Sequence, residues 1–244
     1  YQLPLGVVGI AVGIVLLPDL SRRLGAQDDA GAKHAFSRAG ELSLALTIPA
    51  AVALVVIPLP LVSVLFERGA TGSDDSAAIA AAVAIYGLGL PAFVLQKVLQ
   101  PLFFAREDTK SPFRFAVWAM VVNAAVAIGL APVIGWIAPA IATTLAGWVM
   151  VWMLARGGRT LGDVARFDDR FRRRIWRVCL ASVAMGVVLW GGTLLLGPFL
   201  GVAGIRFIAL VALIALGMVS YALIGQAIGA FSLREFRDAF RRGR

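Results

Sequence analysis

With 244 residues, 60% of them apolar, only 15% charged, and a mean hydropathy of +0.86, the chain departs from a water-soluble domain, in which about a quarter of residues are charged. Its net charge of +9 goes with a single histidine and a single cysteine, so a disulfide framework and a cysteine-based metal site are both excluded. The positive balance reads as membrane topology and attraction to anionic lipid, not as nucleic-acid binding.

Seven stretches are long and apolar enough to cross about 30 Å of hydrocarbon, which takes about 20 residues each. In chain order they run over residues 3–20, 42–66, 76–104, 113–131, 133–154, 175–197 and 205–229. Runs such as "LALTIPAAVALVVIPLPLVSVLF" show no alternation of polar and apolar residues, so the spans are helices and not barrel strands. The expected fold is therefore all-α, a polytopic membrane helix bundle.

The first span carries Gly6, Gly9 and Gly13 at spacings that allow close helix approach. Pro49, Pro58 and Pro60 interrupt the second, Pro91 and Pro101 the third, and Pro139 the fifth, each removing a backbone hydrogen bond and favouring a bend. The third span ends in "KVLQPLFFAREDTKSP", where five polar or charged residues form a short turn that hands over at Pro112 to the fourth span.

Ahead of the sixth span, "GDVARFDDRFRRRIW" sets Val164, Phe167, Phe171 and Ile175 on one stripe opposite many arginines. That pattern is expected to lie along a membrane surface, with binding to a partner protein as the alternative. The tail "FSLREFRDAFRRGR" repeats it with Leu233, Phe236 and Phe240, behind a capping box of Ser232 and Glu235.

Basic residues fix the expected orientation, because arginine and lysine are retained in short cytoplasmic loops. Of the 23, all but Arg68 and Arg206 fall in the first, third and fifth regions between spans, in the region after the last span, or, for Lys97, Arg114 and Arg177, in the span ends that adjoin them. This alternation places the C-terminus in the cytoplasm and the N-terminus outside. An external N-terminus at Tyr1, with no charged leader before it, is expected to follow an upstream membrane portion of a longer protein.

Catalytic chemistry has no foothold in the pattern. Carboxylates fall in predicted loops or at helix ends, His34 sits in a loop, and no glycine-rich phosphate loop occurs. What remains is a sparse set of polar groups inside spans, each costly enough there to be a functional candidate. Gln96, Lys97 and Gln100 lie on the third span, Asn123 on the fourth, Thr143 and Thr144 on the fifth, and Ser220 and Gln226 on the seventh. Lys97 has two readings, snorkelling to the headgroups or lining a polar cavity. Asn123 could hold two helices together, and Thr144 is expected to bond back to its own helix. Ser220 and Gln226 read as packing or interfacial residues.

The stretch "KVLQPLFFAREDTKSP", with "LPLGVVGIAVGIVLLPDLSRRL" at the start and "PLPLVSVLFERGA" before the outer loop, resembles the MurJ/MviN family of lipid II flippases over essentially the whole chain. The resemblance implies the last seven of fourteen helices of a MATE-like exporter fold. Residues 1–156 would form part of the C-terminal transport lobe and 157–174 a cytoplasmic amphipathic linker. Residues 175–229 would form a two-helix groove for the lipid tail and 230–244 a cytoplasmic tail.

It further implies a bacterial inner-membrane protein that carries undecaprenyl-pyrophosphate-linked peptidoglycan precursor, lipid II, across the bilayer by alternating access. Its partners would be lipid II, membrane lipids and the missing N-terminal lobe. No cofactor is implied beyond a coupling cation, sodium or proton, and the membrane potential. Lys97, Gln96, Gln100 and Gln2 would face the substrate, Gln2 standing where the family has a carboxylate. Asn123 and Thr143 would hold the cation, although the aspartate expected one turn after the asparagine is Ala127. Two rival functions remain open: a related exporter of drugs or polyprenyl-linked oligosaccharides, and a membrane-embedded enzyme or scaffold of envelope synthesis.

Overall fold

The computed structural model of the chain describes Gly6 and residues 11–67, 72–202 and 204–230. About 90% of it is helix, and no strand occurs among the described residues. Eight α-helices follow in order: α1 (Ala11–Gly25), α2 (Asp29–Val56), α3 (Pro58–Phe66), α4 (Ser73–Phe104), α5 (Lys110–Ile134), α6 (Ala138–Gly158), α7 (Asp169–Leu200) and α8 (Arg206–Ala227). Five segments are long and apolar enough to cross a membrane, at Asp29–Val56, Asp74–Phe104, Lys110–Leu161, Asp163–Leu200 and Arg206–Ala227. Gln2, Arg68, part of the first expected span and the amphipathic tail lie outside the described residues.

Helix ends follow local chemistry. The Asp28 side chain accepts from the Gly31 N–H and starts α2, and Asp168 accepts from the Phe171 N–H to start α7. Pro58 breaks the second span at Ile57 because it cannot donate to the preceding turn, and it then begins α3 as a preorganised first residue. Pro49, in contrast, is buried inside an unbroken α2, and Pro139 opens α6 instead of interrupting it. The 52-residue apolar segment Lys110–Leu161 folds back at Gly135, whose φ of +59° is one that an L side chain rarely adopts, giving α5 and α6.

α2 starts thirteen residues ahead of the expected second span. The polar segment 29–41 has the look of a loop, yet Ala32, Phe36 and Gly40 recur every fourth residue and are buried as one helical face.

Packing does not follow chain order. α2 lies between α4 and α7, α6 packs against α4 and α5, and α8 packs against α7, while α4 and α5 barely touch. α1 rests on α2 and α4. A buried cluster of Leu16, Leu20, Phe36, Leu102, Phe103 and Leu154 joins α1, α2, α4 and α6. Ile57, Met185, Leu189 and Leu213 form a second cluster where α2, α7 and α8 meet.

The outer surface is apolar. All six tryptophans are exposed, and Trp176, Val183, Val187, Trp190 and Leu194 form a continuous exposed stripe along α7. The Val164, Phe167 and Phe171 stripe behaves differently from the expected surface anchor: it turns inward. Phe167 stacks between Phe36 and Phe171 with ring centroids 4.6 and 3.8 Å away, and Val164 and Phe171 are buried. Aromatic burial against α2 is available at this point of the chain, and Arg166, Arg172 and Arg173 stay exposed.

Candidate functional site

Three of the predicted polar residues, Gln96 and Gln100 of α4 and Asn123 of α5, converge on one cleft. Gln96 and Gln100 are one turn apart on α4, and with Asn123 of α5 and Gly147 of α6 they line a cavity of about 320 Å³. Gln96 Nε2 donates to the Gly147 carbonyl at 3.1 Å, and Asn123 Nδ2 donates to Thr143 Oγ1 at 3.4 Å. The remaining wall is apolar, from Phe93, Ala119, Met120 and Met150. Such a cleft offers amide donors and acceptors in an apolar frame.

Its floor depends on small residues. A Cβ on Gly147 would stand 2.6 Å from Phe93 Cε1, and one on Gly89 would stand 2.9 Å from the same ring, so Phe93 fits only between two glycines. Thr144 Oγ1 donates across to the Ile85 carbonyl at 3.0 Å, correcting the expectation that it bonds its own helix. Trp148 Nε1 donates to the Leu88 carbonyl at 3.1 Å, a third side-chain link between α6 and α4. Ser220 bonds back to Gly217 of α8, and Gln226 is exposed.

Lys97 does not join this cleft. It sits about 100° around α4 from Gln96 and its side chain is exposed on another face. Gln2 lies outside the described residues, so the site consists of Gln96, Gln100 and Asn123, with Thr143 behind them.

A second constellation escaped the sequence reading. Glu41 stands inside α2, not in a loop, and is only 6% exposed. Arg174 of α7 donates to its Oε2 at 2.9 Å, and Arg38, one turn earlier, donates to the same atom at 3.2 Å. Arg170 Nε lies 3.9 Å from Oε1, an oxygen with no hydrogen-bond partner among the described residues. One carboxylate thus gathers three guanidiniums and ties α2 to α7. A glutamate among loop-like residues gave no warning of this; the signal was its place one position after the Ala32, Phe36, Gly40 face, within reach of an arginine three residues earlier.

A turn of the chain away, Asp19 of α1 pairs with Arg22 and with Arg23 Nε at 3.0 Å, and Arg23 also reaches Asp28 at 3.2 Å. One turn further along α7 from Arg174, Arg177 Nη1 donates to the Gly229 carbonyl at 3.1 Å. Gly229 closes α8 with a φ of +70°, and the Ala230 N–H reaches the Gly225 carbonyl at 2.8 Å, as in a Schellman cap.

No group of three or more His, Cys, Asp or Glu able to hold a metal ion occurs among the described residues. The family model "Lipid II flippase MurJ" matches residues 1–200. Probable lipid II flippases MurJ of Rhizobium tropici and Rhizobium meliloti (strain 1021) are 40% and 41% identical, over all of this chain and 46% of each relative. The lipid II flippase MurJ of Burkholderia cenocepacia is 29% identical over 78% of the chain and 37% of its own length.

The chain therefore spans less than half the length of these relatives. In fold it is similar to a solved lipid II flippase MurJ in an inward closed conformation, with a TM-score of 0.75 at 24% identity, over 98% of this chain and 46% of that one. On the family match, which covers most of its length, the chain belongs to the lipid II flippase MurJ family.

Proposed function

We propose that the chain forms the C-terminal half of a lipid II flippase, a transporter and not an enzyme, working in the bacterial inner membrane. The observation that carries this reading is the family match over residues 1–200, joined to a fold likeness over 98% of the chain. The helix count fits seven crossings: five apolar segments, one of which folds at Gly135 into two, with α1 as the seventh. A MATE-like lobe followed by a two-helix extension, α7 and α8, accommodates that count, with the basic ends of the helices and the C-terminus in the cytoplasm.

The chemistry suits an amphiphilic anion. A pyrophosphate cannot enter hydrocarbon without replacements for its hydration shell, so the path needs fixed charge and hydrogen-bond donors. Lys97 supplies charge on an exposed face of α4, and Gln96, Gln100 and Asn123 supply uncharged donors on the neighbouring face. The Glu41 cluster holds the two-helix extension against the lobe, so that both move together when access alternates. A coupling cation at Asn123 and Thr143, and the membrane potential, would drive the cycle.

Complementation tests the proposal. A protein of full family length carrying these residues as its second half should restore growth to cells depleted of their own lipid II flippase. Failure to restore growth despite normal membrane insertion would refute it.

A further inference from the structure

A crevice of about 310 Å³ lies beside the last turns of α7, the end of that helix opposite Arg174, and it shares no lining residue with the α4–α6 cleft. One wall is a stripe of α3 and its cap, Leu59, Ser63 and Glu67, which recur every fourth residue. Thr193 and Gly197 of α7 form the facing wall. Arg206, the first residue of α8, stands at the Glu67 end, where its Nη1 reaches the Glu67 carbonyl at 3.5 Å.

The crevice is amphipathic along its length. Leu59, half exposed, lies about 12 Å from Glu67 along the helix axis at 1.5 Å per residue, so an apolar end within the span leads to a charged end where α3 stops and α8 starts. The two charges do not neutralise each other directly: among the described residues Glu67 and Arg206 form no ion pair, and no side chain bonds to the Glu67 carboxylate. Arg206 otherwise lies only over the neighbouring Phe207 ring, 5.5 Å from its centroid, so most of its five donors stay open. Between the ends, the Ser63 and Thr193 hydroxyls donate to the Pro60 and Trp190 carbonyls of their own helices at 3.4 and 2.6 Å, which leaves no unmet donor in the path of an apolar chain. Gly197 keeps the wall open, since an added Cβ would meet nothing within 4 Å.

We propose that this crevice binds a zwitterionic lipid with a primary ammonium, a phosphatidylethanolamine, its ammonium on the Glu67 carboxylate, its phosphate on Arg206 and one acyl chain running toward Leu59. The pair selects the headgroup. An anionic lipid would add a second negative charge beside Glu67, and a choline has no N–H to give the carboxylate, whereas a primary ammonium has three. On the orientation proposed above the bound headgroup belongs to the outer leaflet, and its retention does not depend on what the protein transports.

The test is native mass spectrometry of the 244-residue chain released from nanodiscs of equal parts phosphatidylethanolamine, phosphatidylcholine and phosphatidylglycerol. One phosphatidylethanolamine should be retained in preference to either of the others. Glu67→Gln should lower its preference over phosphatidylcholine about tenfold, while Asp74→Asn, an exposed carboxylate at the start of α4, should leave it unchanged. Arg206→Gln should lower retention itself, because the phosphate is common to all three lipids. Since Arg206 also ties the start of α8 to Glu67, Gly197→Leu serves as a further variant that fills the crevice without touching a charge, and it should abolish retention. Equal retention of the three lipids, a preference for phosphatidylglycerol, or undiminished retention in Gly197→Leu would overturn the proposal. So would displacement of phosphatidylethanolamine by undecaprenyl phosphate in a parallel nanodisc, since the crevice would then serve the polyprenyl carrier.

Discussion

Arg174 on α7 donates to Glu41 on α2 across 2.9 Å, joining residues 133 positions apart. Both are mostly withdrawn from solvent, with side chains 18% and 7% exposed. Glu41→Gln keeps the shape and removes the charge, leaving Arg174, Arg38 and Arg170 facing one another. A loss of about 3 kcal/mol is expected, toward the low end for breaking a buried pair because two of the guanidiniums reach solvent. In a chain of this size that corresponds to a melting temperature lower by about 6–12 °C in detergent. The exchanged pair Glu41→Arg with Arg174→Glu should recover part of the loss. A Glu41→Gln chain as stable as the parent would show that the cluster fastens nothing.

Two glycines separate packing from propensity. Gly147→Ala forces Phe93 out of its slot between α4 and α6, and a cost of about 1–3 kcal/mol is expected from overpacking. Gly129 on α5 has nothing within 4 Å of an added Cβ, so Gly129→Ala should be neutral or gain up to about 1 kcal/mol of helix propensity. Unfolding both variants in the same detergent checks the contrast, and equal effects would contradict the α4–α6 geometry.

Lys97 carries the charge expected to meet the substrate. In a full-length background Lys97→Arg should retain transport, while Lys97→Ala and Lys97→Gln should lose most of it, with all three inserting normally. The readout is growth of flippase-depleted cells together with membrane abundance. Full activity in Lys97→Ala would remove the charge role and leave the exposed lysine as a headgroup anchor.

The Asn123–Thr143 contact supports two separable expectations. As a hydrogen bond between membrane helices, a double-mutant cycle with Asn123→Ala and Thr143→Val should give a coupling of about 0.6 kcal/mol. As part of a cation site, Thr143→Val should also reduce any dependence of transport on sodium when choline replaces it. Coupling without an ion effect would leave only the structural bond.

Much of the fold was legible because hydrocarbon leaves a strong imprint. Apolar runs located α4 through α8 to within several residues, and Pro58 marked the break at Ile57. The polar start of α2 was not legible, since Lys33, His34, Arg38 and Glu41 lower its hydropathy while burial of Ala32, Phe36 and Gly40 holds it helical. The same blindness hid Glu41: its partners Arg170 and Arg174 come from a helix far along the chain, and only tertiary packing brings them together.

Stripe direction was ambiguous for a similar reason. Val164, Phe167 and Phe171 have the periodicity of a surface anchor, but the choice between lipid and protein depends on what lies opposite, and Phe36 does. Within the polar set, the expectation grouped Lys97 with Gln96 and Gln100, whereas only Gln96 and Gln100 line the cleft. The rotation that separates Lys97 from them follows from the 100° step of the helix.

The most direct measurement is the fraction of lipid II accessible from the outer face of cells depleted of their own flippase. A full-length protein bearing these 244 residues as its second half should restore outer accessibility, and the 244 residues alone should insert without restoring it, because alternating access needs two lobes moving against each other. An unchanged inner pool with the full-length protein present, or outer accessibility restored by the 244 residues alone, would contradict the account.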